Sequence, residues 1–433
     1  LTTTDDAGLT ATTEDTAVLY ASGTISSDTT WLAERSPYVI SSSLTVTSGV
    51  TLTIEPGVVV KFYNSSASLT VSGTLDAEGT GSDQIIFTSY KDDANGGDTN
   101  GDGSATTPAA GNWRYLKMAD GATAQLDYVT VQYGGGSYAM VWVDDNAANV
   151  EVENSTLQYS SNYTVQIDPD STVTIANSTI SNTNSYSAVY TTGGTTTLQD
   201  NTISATSSYG IYSDGASPSI TGNTISNSNY GIYFLGSTAT PSITDNTFTG
   251  NNYPIYVRAL TSNTVLSGNT GSSNTYNMIL INASTSGDVT LGAENDLPFV
   301  IFYLTVSSGD TLTITPGTVL KLLTSSSYLI IDGHLNAEGT LTDPIVFTSF
   351  KDDSYGGDTN NDGTATSAAA GDWAYIRVAD SATATFDYTT IEYGGRGSTA
   401  VMFLVDDNAT DVSINHSVIQ NSVAYTVQID SGS

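Results

Sequence analysis

The sequence predicts an all-β solenoid in which short parallel strands stack coil upon coil as a β-helix. Three observations predict it: a unit of about 23 residues that recurs through the middle of the chain, apolar–polar alternation within each unit, and no stretch with a 3.6-residue helical period. Units this short bury one face only by stacking on their neighbours.

The recurrence is carried by particular side chains. Leu157, Ile180, Ile203, Ile225 and Phe248 step by 23, 23, 22 and 23 residues. Val152, Ile175, Leu198, Ile220, Ile243 and Leu266 keep the same beat, as do Tyr163, Tyr186, Tyr209, Tyr230 and Tyr253. Around them the pattern is Ser-Ile-Thr or Gly-Ile-Tyr, which is strand alternation, and clusters of Gly, Asn, Asp and Ser punctuate it. Three short strands per coil are expected, with like residues in columns at about 4.8 Å spacing. Asn201, Asn223, Asn246 and Asn269 form a further column, either an internal amide ladder or a row of surface turns.

A longer period overlies the short one. Thr51–Gly57 (TLTIEPG) matches Thr311–Gly317 (TLTITPG) at an offset of 260, and Tyr163–Asp168 (YTVQID) matches Tyr425–Asp430 at 262. The chain therefore divides into an N-terminal arm at 1–17, a first β-helix unit at 18–277 and a second, partial unit at 278–433. The second unit stops where the first continues through several more coils. An open coil edge invites another strand, so either the natural chain is longer or neighbouring subunits cover its ends. The arm is read as a strand that pairs with a neighbouring subunit or as a frayed acidic tail.

The coils resemble those of right-handed parallel β-helix proteins of the pectate-lyase-like group. LTVTSGVTLTIEPGVVVKF (Leu44–Phe62) and LTVSGTLDAEGT (Leu69–Thr80) are similar to β-helix modules of secreted and surface proteins of prokaryotes. The resemblance extends over nearly all of the chain beyond the arm. It implies the fold and little about function, because one scaffold hosts unrelated activities.

Charge narrows the partners. The chain carries 44 acidic and 10 basic residues, a formal charge of −34. That field repels nucleic acid and attracts divalent cations. No apolar run approaches the roughly 18–20 residues of a membrane span. Cysteine is absent, so no disulfide or thiolate site enters. The chain begins at Leu1, as after removal of an export signal. Together with the Thr, Ser, Asn, Gly and Tyr content, this points to a secreted, extracellular or cell-surface protein.

One acidic loop occurs twice, at 91–113 (KDDANGGDTNGDGSATTPAAGNW) and 351–373 (KDDSYGGDTNNDGTATSAAAGDW). Asp98, Asn100 and Asp102, like Asp358, Asn360 and Asp362, stand in the spacing D-x-N-x-D-G. Alternate side chains there supply hard oxygens to one centre, as in the first half of an EF-hand loop. The acidic residue of position 12 is missing, with Ala109 and Ala369 near its place. Asp92 and Asp93, or Asp352 and Asp353, are expected to complete the set with carbonyls or water. Two structural Ca²⁺ sites are predicted, each stapling its loop to the solenoid, with Trp113 or Trp373 as packing anchor. Asp144, Asp145 and Asn146, repeated as Asp406, Asp407 and Asn408, either add to an ion site or form a turn.

Catalysis is not expected. The resemblance implies, for lyase members, a basic residue working beside calcium on uronates, yet the ten basic residues are scattered and the overall charge has the wrong sign for a polyanion. A hydrolase needs converging carboxylates, and those that can be organised here sit in the ion loops. His334 and His416 occupy places taken by Thr74 and Asn154 in the first unit. Glycosylation sequons occur at Asn64, Asn154, Asn162, Asn177, Asn282, Asn408 and Asn415. The reading is a structural subunit of an extracellular filament or appendage, a homopolymer assembling head to tail and stabilised by calcium. The alternative is a cell-surface adhesin or carbohydrate-binding stalk, with Tyr212, Tyr233 and Tyr256 as a sugar platform, a subunit contact or plain sheet surface. A polysaccharide hydrolase or lyase comes last.

Overall fold

The computed structural model describes residues 2–4, 10–12, 18–206, 208–236, 238–396 and 401–431. The chain forms two compact units, Leu1–Asn229 and Tyr230–Ser433, and each is a parallel β-solenoid. The division differs from the sequence repeat at 277/278. Coils contact their nearest neighbours, so compactness carries no imprint of where a duplicated sequence begins.

In the first unit, the strands of one coil lie in register on those of the next. Leu157 faces Ile180, Ile180 faces Ile203, and Ile203 faces Ile225. Val152, Ile175, Leu198 and Ile220 form the second predicted column. These side chains are fully buried or nearly so, which places the alternating apolar residues inside and the Thr and Ser between them outside. Tyr186 departs from its expected column. Ser187 pairs with Tyr209 in the ladder, and Tyr186 stands one residue outside the strand, 51% exposed. Burial of Val189 between Val165 and Ile211 fixes the register, and a one-residue slip would turn it outward.

The column containing Asn201 is internal, not a row of surface turns. Ser155 and Ser178 precede Asn201 and Asn223 in it, and all four are buried. Each side-chain oxygen accepts the backbone N–H of the coil before: Val129 N to Ser155 Oγ at 2.9 Å, Ser155 N to Ser178 Oγ at 3.0 Å, Ser178 N to Asn201 Oδ1 at 2.9 Å and Asn201 N to Asn223 Oδ1 at 3.0 Å. Buried backbone donors at the bends, where no ladder partner exists, are satisfied in this way.

Before the first coil, Thr10–Thr12 lies antiparallel to Leu19–Ile25, and Thr2–Thr4 lies antiparallel to Thr10–Thr12. These parts of the arm find their strand partner in their own chain. The remainder of 1–17 lies outside the described residues.

The second unit repeats the plan. Ile243 faces Leu266, Tyr230 faces Tyr253, and Tyr233 faces Tyr256. Its polar relay runs from Asn246 N to Asn269 Oδ1 at 3.2 Å and from Asn269 N to Asn295 Oδ1 at 3.1 Å. No helix among the described residues is long and apolar enough to cross a membrane.

Each acidic loop interrupts one coil, between Ile85–Ser89 and Tyr115–Met118 in the first unit and between Ile345–Ser349 and Tyr375–Val378 in the second. Its C-terminal anchor is the expected tryptophan. Trp113 is fully buried, stacks on Phe62 at 4.0 Å and donates from Nε1 to the Gln132 carbonyl at 2.8 Å. Trp373 makes the same bond to Glu392, at 2.9 Å. Both need a glycine opposite, since a Cβ at Gly134 or Gly394 would come within 2.6 Å of the indole.

Candidate metal centre

The base of the first loop rests on an outward-facing polar column of the solenoid wall. In Val59–Phe62 the apolar side chains of Val60 and Phe62 point to the core, so Lys61 points out. Lys61 nonetheless has no exposed surface, because the loop covers it. Thr88 and Gln132 continue this column in the next coils. Thr88 Oγ1, Asn95 Nδ2 and Gln132 Nε2 all donate to Asp92 Oδ2, at 2.6, 2.8 and 3.0 Å. Asp92 is therefore an anchor of the loop and stands apart from the ion cluster. Asp352 does the same work, accepting from Thr348 Oγ1 at 2.6 Å and Ser354 N at 3.0 Å.

The other predicted ligands converge. Asp93, Asp98 and Asp102 bring one carboxylate oxygen each to within 4.8 Å of the others, and so do Asp353, Asp358 and Asp362. The D-x-N-x-D-G turn sets this geometry. Asp98 Oδ1 and Oδ2 accept the backbone N–H groups of Asp102 and Gly103, at 3.1 and 2.8 Å, which curls the chain round the first aspartate. Gly103 takes φ +72°, a left-handed value that suits glycine. Asn100 Nδ2 and Thr106 Oγ1 donate to Asp102 Oδ2, at 2.9 and 2.6 Å. In the second loop the counterpart of the Asp98–Gly103 bond is also 2.8 Å. Where an EF-hand would place its final acid, the N–H groups of Ala109 and Ala369 close the loop on Asn112 Oδ1 and Asp372 Oδ2, each at 2.9 Å.

Such a cluster is strained without a cation. Like charges about 4 Å apart repel by roughly 1 kcal/mol per pair in water and about 4 at an effective dielectric constant of 20. Burial, then Asp98 and Asp102, raise the Asp93 carboxyl above its ordinary value, and burial with Asp358 does so for Asp353. Hydrogen bonds led by the Thr106 and Thr366 hydroxyls hold Asp102 and Asp362 below theirs. Among the described residues six buried side-chain polar atoms lack a hydrogen-bond partner, and three are oxygens of these loops: Asp93 Oδ1, Asp353 Oδ1 and Asn360 Oδ1. Buried oxygens left unpaired beside converging carboxylates fit a hard, oxygen-seeking cation of the calcium type.

The repeating register and the comparison with known families agree. Residues 23–140 match the family described as pectate-lyase like beta helix domain, and residues 187–291 match right handed beta helix region. The chain is a right-handed parallel β-helix repeat protein. No curated protein and no solved structure matches it.

The remaining sequence candidates find ordinary places in the β-helix. Asp144 pairs with Lys117 at 2.6 Å, and Asp406 accepts from Arg377 Nε at 2.8 Å, so the first aspartate of each repeated Asp-Asp-Asn turn is tied up in an ion pair. His334 Nδ1 bonds Thr383 Oγ1 at 2.7 Å, where Thr74 and Thr123 bond each other at 2.9 Å in the first repeat. His416 Nδ1 bonds Asp387 Oδ1 at 2.8 Å, where Asn154 Nδ2 bonds Asp127 Oδ1 at the same distance. Both histidines thus stand in for neutral surface residues.

Of the sequons, Asn64, Asn177, Asn408 and Asn415 are exposed. Asn154, Asn162 and Asn282 are half-buried, with their amides donated to Asp127, Gly135 and Tyr256. Tyr212, Tyr233 and Tyr256 are half-buried too. Their rings lean on neighbouring tyrosines at 5.0–5.3 Å, as in Tyr209–Tyr212, Tyr230–Tyr233 and Tyr233–Tyr256.

Sequence reasoning missed Lys61 and Lys321. Their signal was available: a lysine at matched positions of the two repeats, each inside an apolar run (VVVKF, TVLKL).

Proposed function

We propose that this β-helix is a structural subunit of an extracellular filament or surface appendage, stacked head to tail with further copies and stapled by calcium at its two acidic loops. One observation carries the reading. The pentapeptide Tyr-Thr-Val-Gln-Ile occurs twice, and in Tyr163–Ile167 it is covered by the next coil, with Val165 and Ile167 at 1% and 0% exposure. In Tyr425–Ile429 the same residues are uncovered, Val427 at 40% and Ile429 at 65%, with Val418 and Val423 beside them. Such an apolar coil face is completed by a further coil, either of the same polypeptide or, as proposed here, of a second copy. In the assembly, the opposing edge is that of Gly23–Ile25 and Thr29–Trp31 in a second copy. The unpaired oxygens of both loops support the calcium.

The adhesin reading is weaker because the tyrosine rings lean on one another, and ring faces so engaged offer a sugar little to stack on. The enzyme reading is weaker because both histidines occupy places filled by Thr and Asn in the other repeat.

Electron microscopy of the purified protein, beside its intact mass and a Val427→Asp/Ile429→Asp variant, tests the proposal. Filaments from the natural chain and single particles from the variant are the expected result, since two aspartates on the stacking face add charge with no partner. Uniform single particles from the natural chain would sink the assembly. A mass well above 45.1 kDa, beyond any glycan, would assign the covering coil to the same polypeptide.

A further inference from the structure

Each acidic loop closes over a cation that the protein itself supplies. Lys61 Nζ donates to the Asp92 carbonyl at 2.9 Å and the Gly97 carbonyl at 2.6 Å. Lys321 Nζ donates to the Asp352 carbonyl at 2.8 Å and the Gly357 carbonyl at 2.7 Å. Both lysines have no exposed surface. The loop backbone lies directly on the first lysine stem: a Cβ at Gly96, which has φ +71°, would meet Lys61 Cε at 3.2 Å. Around the same turn, Gly97 O also accepts Thr99 N at 2.9 Å.

We infer that Lys61 and Lys321 are permanent fasteners that hold the inner turns, 92–97 and 352–357, closed whether or not a metal is bound, and so present Asp93 and Asp98, or Asp353 and Asp358, ready-placed for calcium. The inference rests on the calcium reading of the same loops for its second half only. An ammonium ion buried under two carbonyls and close to carboxylates is held by charge-assisted bonds, the strong kind. Burying it elsewhere would be costly, yet both copies retain it. The outer half of each loop, from Asp98 or Asp358 to the alanines, has no such cation. It is held by hydrogen bonds to its own aspartates, with Tyr90 Oη to Thr99 O at 2.8 Å in the first loop and Asn277 N to Thr359 O at 2.9 Å and Asn361 Nδ2 to Asn274 O at 3.1 Å in the second. The loop therefore has two parts with different dependence on metal. A preorganised inner turn lowers the ordering cost of binding.

The sign of the lysine's effect is open to measurement, because a positive charge near a calcium ion also repels it. As a fastener Lys61 strengthens binding, and as a mere neighbour it weakens binding. The test uses the full chain with Lys61→Met or Lys321→Met, titrated with terbium and with calcium, the unaltered loop serving as internal control. Hydrogen exchange of the natural chain, with and without chelator, is read alongside. In the natural chain, chelation should release the bonded amides of Asp102, Gly103 and Ala105 while that of Asp92, bonded to Ser89 O, stays protected. In Lys61→Met, one of two sites should weaken about tenfold or more, the scale of one charge-assisted bond, and the Asp92 amide should exchange freely even in calcium.

Unchanged or tighter binding in Lys61→Met, or loss of protection at Asp92 together with Asp102, Gly103 and Ala105 on chelation of the natural chain, would overturn the inference. If the natural chain binds neither ion, the calcium reading fails, and the fastener stands or falls on protection of the Asp92 amide in the natural chain. The exchange measurement needs no variant, so it decides even if Lys61→Met does not fold.

Discussion

Saturating calcium is expected to raise the melting temperature of this protein by roughly 5–10 °C over its value in chelator. A ligand at 100 times its Kd stabilises the folded state by about 2.7 kcal/mol per site, and about 1 kcal/mol moves the midpoint by roughly 2–4 °C in a unit of this size. The informative variants are Asp93→Asn and Asp353→Asn, because their effect should change sign with the medium. In chelator each removes one of three mutually repelling carboxylates, the one whose pKa is raised by burial first and then by its acidic neighbours. The variant should then be as stable as the natural chain or slightly more so. In calcium the same change deletes a charged ligand, and the calcium-dependent gain of the affected loop should largely vanish. Differential scanning calorimetry in both media reads the two signs. A variant that loses stability equally with and without calcium would show these aspartates to be held by the protein fold alone, with no ion.

The second large effect concerns the internal relay. Asn201→Ala should destabilise the first unit by about 3–5 kcal/mol, the cost of leaving two or three buried hydrogen-bonding groups unpaired. The groups are identifiable: Ser178 N loses its acceptor at 2.9 Å, Ile175 O loses its donor at 2.8 Å, and the Asn223 amide oxygen loses its contact at 3.0 Å. Asn201→Ser should recover part of the loss, because Ser155 and Ser178 already fill this column with a single hydroxyl. Denaturant midpoints of the three proteins check the order natural, Ser, Ala. If Ser is no better than Ala, the loss comes from the cavity and the relay is irrelevant to stability.

Legibility of the sequence followed the physics that wrote each feature. The Leu157 and Val152 columns were readable because coils stack residue on residue, so each register pair is one repeat apart. Tyr186 misled because spacing in sequence counts residues while a strand counts faces, and a turn one residue longer moves the tyrosine off the ladder. The ion cluster was readable in Asp98 and Asp102, where local backbone bonds impose the geometry. Asp92 was not, because its role depends on Thr88 and Gln132, which stacking brings beneath the loop. Lys61 was hidden for the same reason: alternation makes it a surface residue until the loop folds over it. The histidines became interpretable only when their hydrogen bonds could be laid over those of Thr74 and Asn154.

The direction of the internal relay has a consequence for how such a chain acquires its structure. In every step the donor is a backbone N–H of one coil and the acceptor a side chain of the following coil. A coil therefore completes its own hydrogen bonding only after its C-terminal neighbour has arrived. Either direction of growth makes the same bond at each addition; what differs is the group left waiting at the edge, a backbone N–H toward the carboxyl end and a side-chain oxygen toward the amino end. Synthesis from the amino terminus delivers each donor before its acceptor, and contacts between immediate neighbours keep each closure short. A ribosome emitting this sequence supplies each coil at about the moment the previous one requires it.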